Sequence, residues 1–179
     1  MKTLLIVYHS MTGGTLQMAQ AAADGAATEP SLQVRLLRAP DAGASDLMSA
    51  DGYIFATPEN LAAVSGLLKD FFDRTYYAVL ERLNGRPYAS LICAGSDGSN
   101  AARQIERIAT GWRLKAVAPP LIVCTHAQSP EAILRPKQIG SDDLKACNEV
   151  GAALAGGLSL GVFCSSGGHV VIAVLAAEA

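Results

Sequence analysis

The chain has 179 residues, half of them apolar and 17% charged, with 14 Lys and Arg against 16 Asp and Glu, a net charge of -2. That size suits one domain with a sizeable core, and the apolar content excludes a disordered chain. The charge leaves no electrostatic footprint for nucleic acid. The apolar runs are all too short for a membrane helix.

Four cysteines, Cys93, Cys124, Cys147 and Cys164, lie far apart and form no CxxC pair, so neither zinc nor a thioredoxin-type redox pair is indicated. Cys93 and Cys124 sit in apolar runs and read as small core hydrophobes. Only Thr3 to Tyr8 is apolar before His9 and Ser10, too short for a signal peptide, so a reduced, cytoplasmic protein is expected.

In chain order, Thr3–Tyr8 reads as a strand covered on both faces. Gly14 to Ala27 carries Leu16, Met18, Ala19 and Ala22 at helical spacing. Leu32 to Leu37 alternates and suits an edge strand, and Gly52 to Ala56 is a third strand. Leu61 to Leu83 reads as one long amphipathic helix or a broken pair, with Leu68, Phe71, Phe72 and Tyr76 on one face. Asn84-Gly85 then turns into a fourth strand, Pro87 to Cys93.

A helix from Ser99, as N-cap, to Trp112 follows, then a fifth strand, Leu121 to Cys124, entered through Pro119-Pro120. Ser141-Asp-Asp opens a last helix reaching about Leu158, with acid in its first turn as the helix dipole favours. Five strands interleaved with helices predict a doubly wound α/β sandwich around a parallel sheet. The tail 164–179 ends in an apolar run from Val170 to Ala177, which reads as a strand or short helix covering the sheet or an interface.

In such a sheet, ligands bind beyond the carboxyl ends of the strands. The first loop there is His9-Ser10-Met11-Thr12-Gly13-Gly14-Thr15, running straight into a helix. Its glycines let successive N–H groups converge on one anion, and the helix N-terminus adds roughly half a positive charge. Ser10, Thr12 and Thr15 offer hydroxyls. The loop lacks the P-loop lysine and the GxGxxG fingerprint, so it reads as a phosphate cradle without a cation.

Three segments carry a resemblance. Ser10-Met-Thr-Gly-Gly-Thr15 is similar to the phosphate loop [ST]-x-T-G-x-T of the flavodoxin-like flavoproteins. Thr57-Pro58-Glu59-Asn60, followed by Ser65-Gly-Leu-Leu-Lys-Asp-Phe-Phe-Asp-Arg74, resembles a segment of NAD(P)H-dependent FMN reductases and quinone reductases. Ala94-Gly95-Ser96-Asp97-Gly98-Ser99 stands where that superfamily has its second flavin-contacting loop. The resemblance covers about residues 1–163 and implies a flavodoxin-like three-layer sandwich, with strand order 2-1-3-4-5.

It further implies FMN, with Ser10, Met11, Thr12, Gly13, Gly14 and Thr15 at its phosphate. Thr57, Pro58, Glu59, Asn60, Leu61, Gly95, Ser96, Asp97 and Gly98 would flank the ring. The ring loops lack Trp and Tyr and the charge is mild, which favours a reductase over an electron carrier. The implied reaction takes a hydride from NAD(P)H and passes electrons to a small acceptor, such as a quinone or flavin, by ping-pong kinetics. The flavin carries the chemistry, so no side chain is assigned a catalytic role and no metal is expected. A flavodoxin-type carrier using the same FMN is the alternative. Trp112, Tyr76 and Tyr77 are candidates to shape the acceptor pocket, and His126 to border it. The resemblance implies a homodimer or tetramer, with no nucleic-acid or membrane partner.

Overall fold

The computed structural model describes residues 1–164. A parallel sheet is formed by β1 (Lys2–Tyr8), β2 (Leu32–Arg38), β3 (Gly52–Asn60), β5 (Pro87–Ala94), β6 (Lys115–Ala116) and β7 (Leu121–Cys124), while β4 (Ala63–Val64) pairs antiparallel with β3. The order is β2-β1-β3-β5, and β6 and β7 both lie beside β5. This is the expected order with its fifth place divided in two. Pro119 and Pro120, between β6 and β7, have no N–H to give a ladder, which accounts for the break.

The helices are α1 (Gly14–Ala26), α2 (Ala44–Ser49), α3 (Gly66–Val79), α4 (Ser99–Gly111), α5 (Pro130–Leu134) and α6 (Ser141–Ser159). Because strand side chains alternate, β1 sends Leu4 and Ile6 to one face and Leu5 and Val7 to the other. The first face packs on α1 and α6, and the second on α2, α3 and α4. Both faces are therefore covered, as the near-continuous apolar strands require. On the first face α1 and α6 touch backbone to backbone. A Cβ at Gly25 would meet the Asn148 carbonyl, and one at Gly151 would meet the Ala22 carbonyl.

Several expectations need correction. No helix starts at Leu61: Leu61 and Ala62 take φ of 51° and 56° and close a two-residue hairpin between β3 and β4, with Asn60 opposite Ala63. Helix α3 starts only at Gly66 and ends at Val79, burying Leu68, Phe71 and Phe72 as its spacing predicts. Ser99 is the first helical residue and not the cap; Gly98 is the N-cap, at φ 82°. By contrast α6 does open at Ser141, with Asp142 and Asp143 in its first turn and Gly140 as its N-cap. Trp112 is fully buried, in edge contact with Phe72 and stacked on Tyr76, and Tyr77 is exposed.

Cys93 and Cys147 are buried and Cys124 partly so. Among the described residues no helix is long and apolar enough to cross a membrane, and no cluster could hold a metal ion. The expected apolar tail falls on residues 165–179, outside the described residues.

Candidate functional site

The loops after β1, β3, β5 and β7 meet over the carboxyl edge of the sheet and enclose a pocket of about 580 Å³. Of the sequence-predicted residues, Ser10, Met11, Thr12, Gly14, Thr15, Pro58, Glu59, Asn60, Leu61 and Gly95 line it. Gly13, Thr57, Ser96, Asp97 and Gly98 do not, but they shape the loops that do.

The turn after β1 is built around Gly13, whose φ of 87° is one that L side chains rarely adopt. Its N–H donates to Ser10 Oγ at 3.1 Å, and its carbonyl accepts the first helical bond of α1, from the Gln17 N–H at 3.1 Å. Ser10 reaches only the N-cap of α1, and among the described residues no side chain accepts from the N–H groups of its first turn, where Gly14 and Thr15 line the pocket. Gly14 permits the turn to lie on the sheet: a Cβ there would stand 2.7 Å from Cys93 Sγ and 3.2 Å from Lys137 Cβ.

Thr15, 1% exposed, keeps its Oγ1 buried with no nitrogen or oxygen partner among the described residues and only the Cys93 thiol beside it. A thiol is a weak partner, so a stronger acceptor at this hydroxyl would be favoured. Burial pushes the Cys93 thiol up, opposed by the adjoining Thr15 hydroxyl and the Lys137 charge. His9, just before the turn, has its pKa lowered by burial and then by Arg38, and its buried Nδ1 has no partner among the described residues.

The two ring-flanking loops are tied to each other by the Glu59 carboxylate. Its Oε2 accepts from the Gly98 N–H at 2.8 Å and its Oε1 from the Ala101 N–H at 3.4 Å, so it fills the N-terminus of α4. Gly98 has no room for a Cβ, which would lie 2.6 Å from Ile122 Cγ2. Asp97 turns away and accepts from the Ser99 hydroxyl at 2.8 Å. Thr57 is fully buried; its Oγ1 accepts from the Ser65 N–H at 3.1 Å and holds the chain leaving β4. Asn60 Nδ2 donates to Met11 Sδ at 3.4 Å, joining this loop to the first.

Sequence reasoning missed the outer wall. Thr125, Ala127, Ile133, Leu134 and Lys137 also line the pocket, as do Cys93 and Ala94. A signal was present: Ser129 caps α5, accepting from the Ala132 N–H at 3.2 Å, and Pro130 takes the first helical position. Lys137 brings a cation to the wall, but its Nζ donates to the carbonyls of Ala132, Ile133 and Arg135. His126, at φ 54°, sits between two lining residues without lining the pocket itself. Trp112, Tyr76 and Tyr77 do not line it either.

Residues 1–128 match the family described as NADPH-dependent FMN reductase. The chain is 34% identical over 95 residues to an NAD(P)H dehydrogenase (quinone) of Acidithiobacillus ferrooxidans, covering 42% of this chain and 48% of that protein. It is 35% identical over 96 residues to a flavodoxin of Aquifex aeolicus, covering 54% of this chain and 50% of that protein. The chain thus spans about half the length of these curated relatives. Among solved structures, a flavodoxin from the domain Archaea superposes with a TM-score of 0.71 at 18% identity, over 88% of this chain and 99% of that one. A flavodoxin, WrbA-like protein from Agrobacterium tumefaciens gives 0.67, also at 18%, over 89% and 99%. These likenesses establish a flavodoxin-like fold, and with the match over residues 1–128 the chain belongs to the NADPH-dependent FMN reductase family.

Proposed function

We propose that the pocket binds FMN and that the protein is an NAD(P)H-dependent oxidoreductase of small acceptors. The observation that carries this reading is the contrast between two helix N-termini at one edge of the sheet. The end of α4 is filled by the protein's own Glu59, whereas no described side chain fills the first turn of α1, where the buried Thr15 hydroxyl has only the Cys93 thiol beside it. An open helix end with converging N–H groups suits a phosphate dianion.

Ser10, Thr12 and Thr15 would add hydroxyl bonds, and Gly13 and Gly14 the close approach. Pro58, Glu59, Asn60, Leu61 and Gly95 would border the ring, with Thr57, Ser96, Asp97 and Gly98 holding those loops in shape. The chemistry FMN would supply there is acceptance of a hydride from NAD(P)H and release of electrons to an acceptor such as a quinone or a free flavin. Glu59 and Lys137 both direct their charged atoms to backbone groups, so neither is free to pair with a ligand there. One pocket serving donor and acceptor in turn gives ping-pong kinetics.

A flavodoxin-type carrier would use the same pocket, and the likeness to the Aquifex aeolicus flavodoxin keeps it in view. Anaerobic mixing of the FMN-reconstituted protein with NADPH or NADH separates the two. Rapid bleaching of the visible flavin band supports the reductase, and an unchanged band supports the carrier. Failure to take up FMN at all ends both readings. The Gly13→Asp variant, which sets a carboxylate in the cradle and a side chain at φ 87°, is expected to lose FMN binding.

A further inference from the structure

The outer wall of the pocket has little burial to hold it. Helix α5 is five residues long and buries none of them, and an isolated helix of that length is not stable in water. Its placement depends on the buried Ile139 that follows it and on tethers, most of which meet at one side chain of α1. Gln17 uses both of its donors and one acceptor position of its oxygen. Nε2 donates to the Gly13 carbonyl at 3.1 Å and to the Lys137 carbonyl at 2.7 Å, and Oε1 accepts from the Ile139 N–H at 3.2 Å. The side-chain amide pairs with residues 137 and 139 much as a neighbouring strand would.

The Lys137 N–H in turn donates to the Thr12 carbonyl at 2.7 Å. Beyond Lys137 the connection continues through its Nζ to the last carbonyls of α5, and so to Ile133 and Leu134. Those two side chains line the pocket while 50% and 78% exposed. A bonded route therefore runs from the carbonyl of Gly13 to the apolar wall.

We propose that Gln17 is a positioning residue that couples the 10–15 turn to the 129–139 segment, so that seating a phosphate in the turn and fixing the Ile133–Leu134 wall are one event. This inference rests on the FMN reading above. The coupling is reciprocal: whatever orders the turn also orders the wall, and loosening the wall weakens the turn's ligand by the same factor.

Trypsin reports on the wall, because cleavage of the Lys137–Gln138 bond requires Lys137 to leave its carbonyl partners, while Arg135–Pro136 resists the protease. In the wild-type protein FMN is expected to slow this cleavage. Gln17→Leu removes three hydrogen bonds and is expected to speed cleavage, and to weaken FMN binding measured by fluorescence quenching, each by roughly tenfold. At saturating FMN its KM for menadione should rise while kcat holds. Gln17→Glu keeps the acceptor for Ile139 but sets a carboxylate against two carbonyls. It should behave like Gln17→Leu at neutral pH and recover towards wild type as the carboxyl is protonated, a rescue that a merely space-filling role would not produce. Wild-type cleavage rate and FMN affinity in folded Gln17→Leu, or an FMN affinity in Gln17→Glu that ignores pH, overturns the coupling alone. Failure of the wild-type protein to bind FMN overturns the cofactor reading as well.

Discussion

Glu59, at the end of β3, caps α4 from outside that helix, with Oε2 2.8 Å from the N–H of Gly98. The acceptor at this helix end thus comes from another loop, 39 residues earlier. Removing it unseals α4 and parts the two loops that border the pocket.

Glu59→Ala is therefore expected to cost about 1 to 2 kcal/mol of stability, as loss of an N-terminal cap does, with Glu59→Gln between it and wild type. Urea denaturation measures the stability, and FMN titration should show weaker binding in the same order. Unchanged midpoints in both variants would mean that the carboxylate does not cap the helix in solution.

Gly14→Ala should disturb the cradle through contact and not through backbone conformation. The added methyl would stand 2.7 Å from Cys93 Sγ, so overpacking of about 1 to 3 kcal/mol is expected. The double variant Gly14→Ala/Cys93→Ala removes the opposing sulfur and should recover most of that stability and of the FMN affinity. A purely additive double variant would show that the strain lies elsewhere.

The hairpin tip at Leu61 and Ala62 holds two non-glycine residues in the left-handed region, a cost of about 1 kcal/mol or more for each. Replacing them by Asn and Gly, the pair suited to a two-residue turn with both φ positive, should stabilise the protein by about 1 kcal/mol. Leu61 is also a fully exposed apolar group at the pocket mouth. The stabilised variant is accordingly expected to show a higher KM for menadione.

Alkaline pH should destabilise the fold. Burial pushes Cys147 from 9.0 to about 12, with Asp143 and Cys93 adding to it. Burial also raises Tyr53 and Tyr88 from 10.0 to about 12. Above pH 9 the unfolded chain releases protons that the folded chain retains, so stability is full below that point and falls as pH climbs towards 12. The urea midpoint should drop through this window, and a flat profile would show these groups to be solvated in the native state.

The order of the sheet and the tight turn between β1 and α1 were legible because local signals and the fold agree there. An apolar β-rich run, a Gly-Gly turn and a helical pattern follow one another without a gap. The 60–64 hairpin was hidden because Leu61-Ala62 lacks the Asn, Asp or Gly that marks such a turn, and its apolar residues continue the helical spacing of α3. Ser99 looked like a cap, yet the carboxylate of Glu59, from the end of β3, reaches the helix end instead. The 129–139 wall was hidden because its tethers span 120 residues or more, from Gln17, and no periodicity in one segment reveals a partner that distant.

The bare contact of α1 with α6 at Gly25 and Gly151 leaves the first helix no slack. Side chains can yield by changing rotamer, whereas main chain pressed on main chain gives almost nothing. The helix is thus pinned near the end remote from the 10–15 turn, so any ordering that a ligand brings falls on the turn and the 129–139 segment and not on α1 itself.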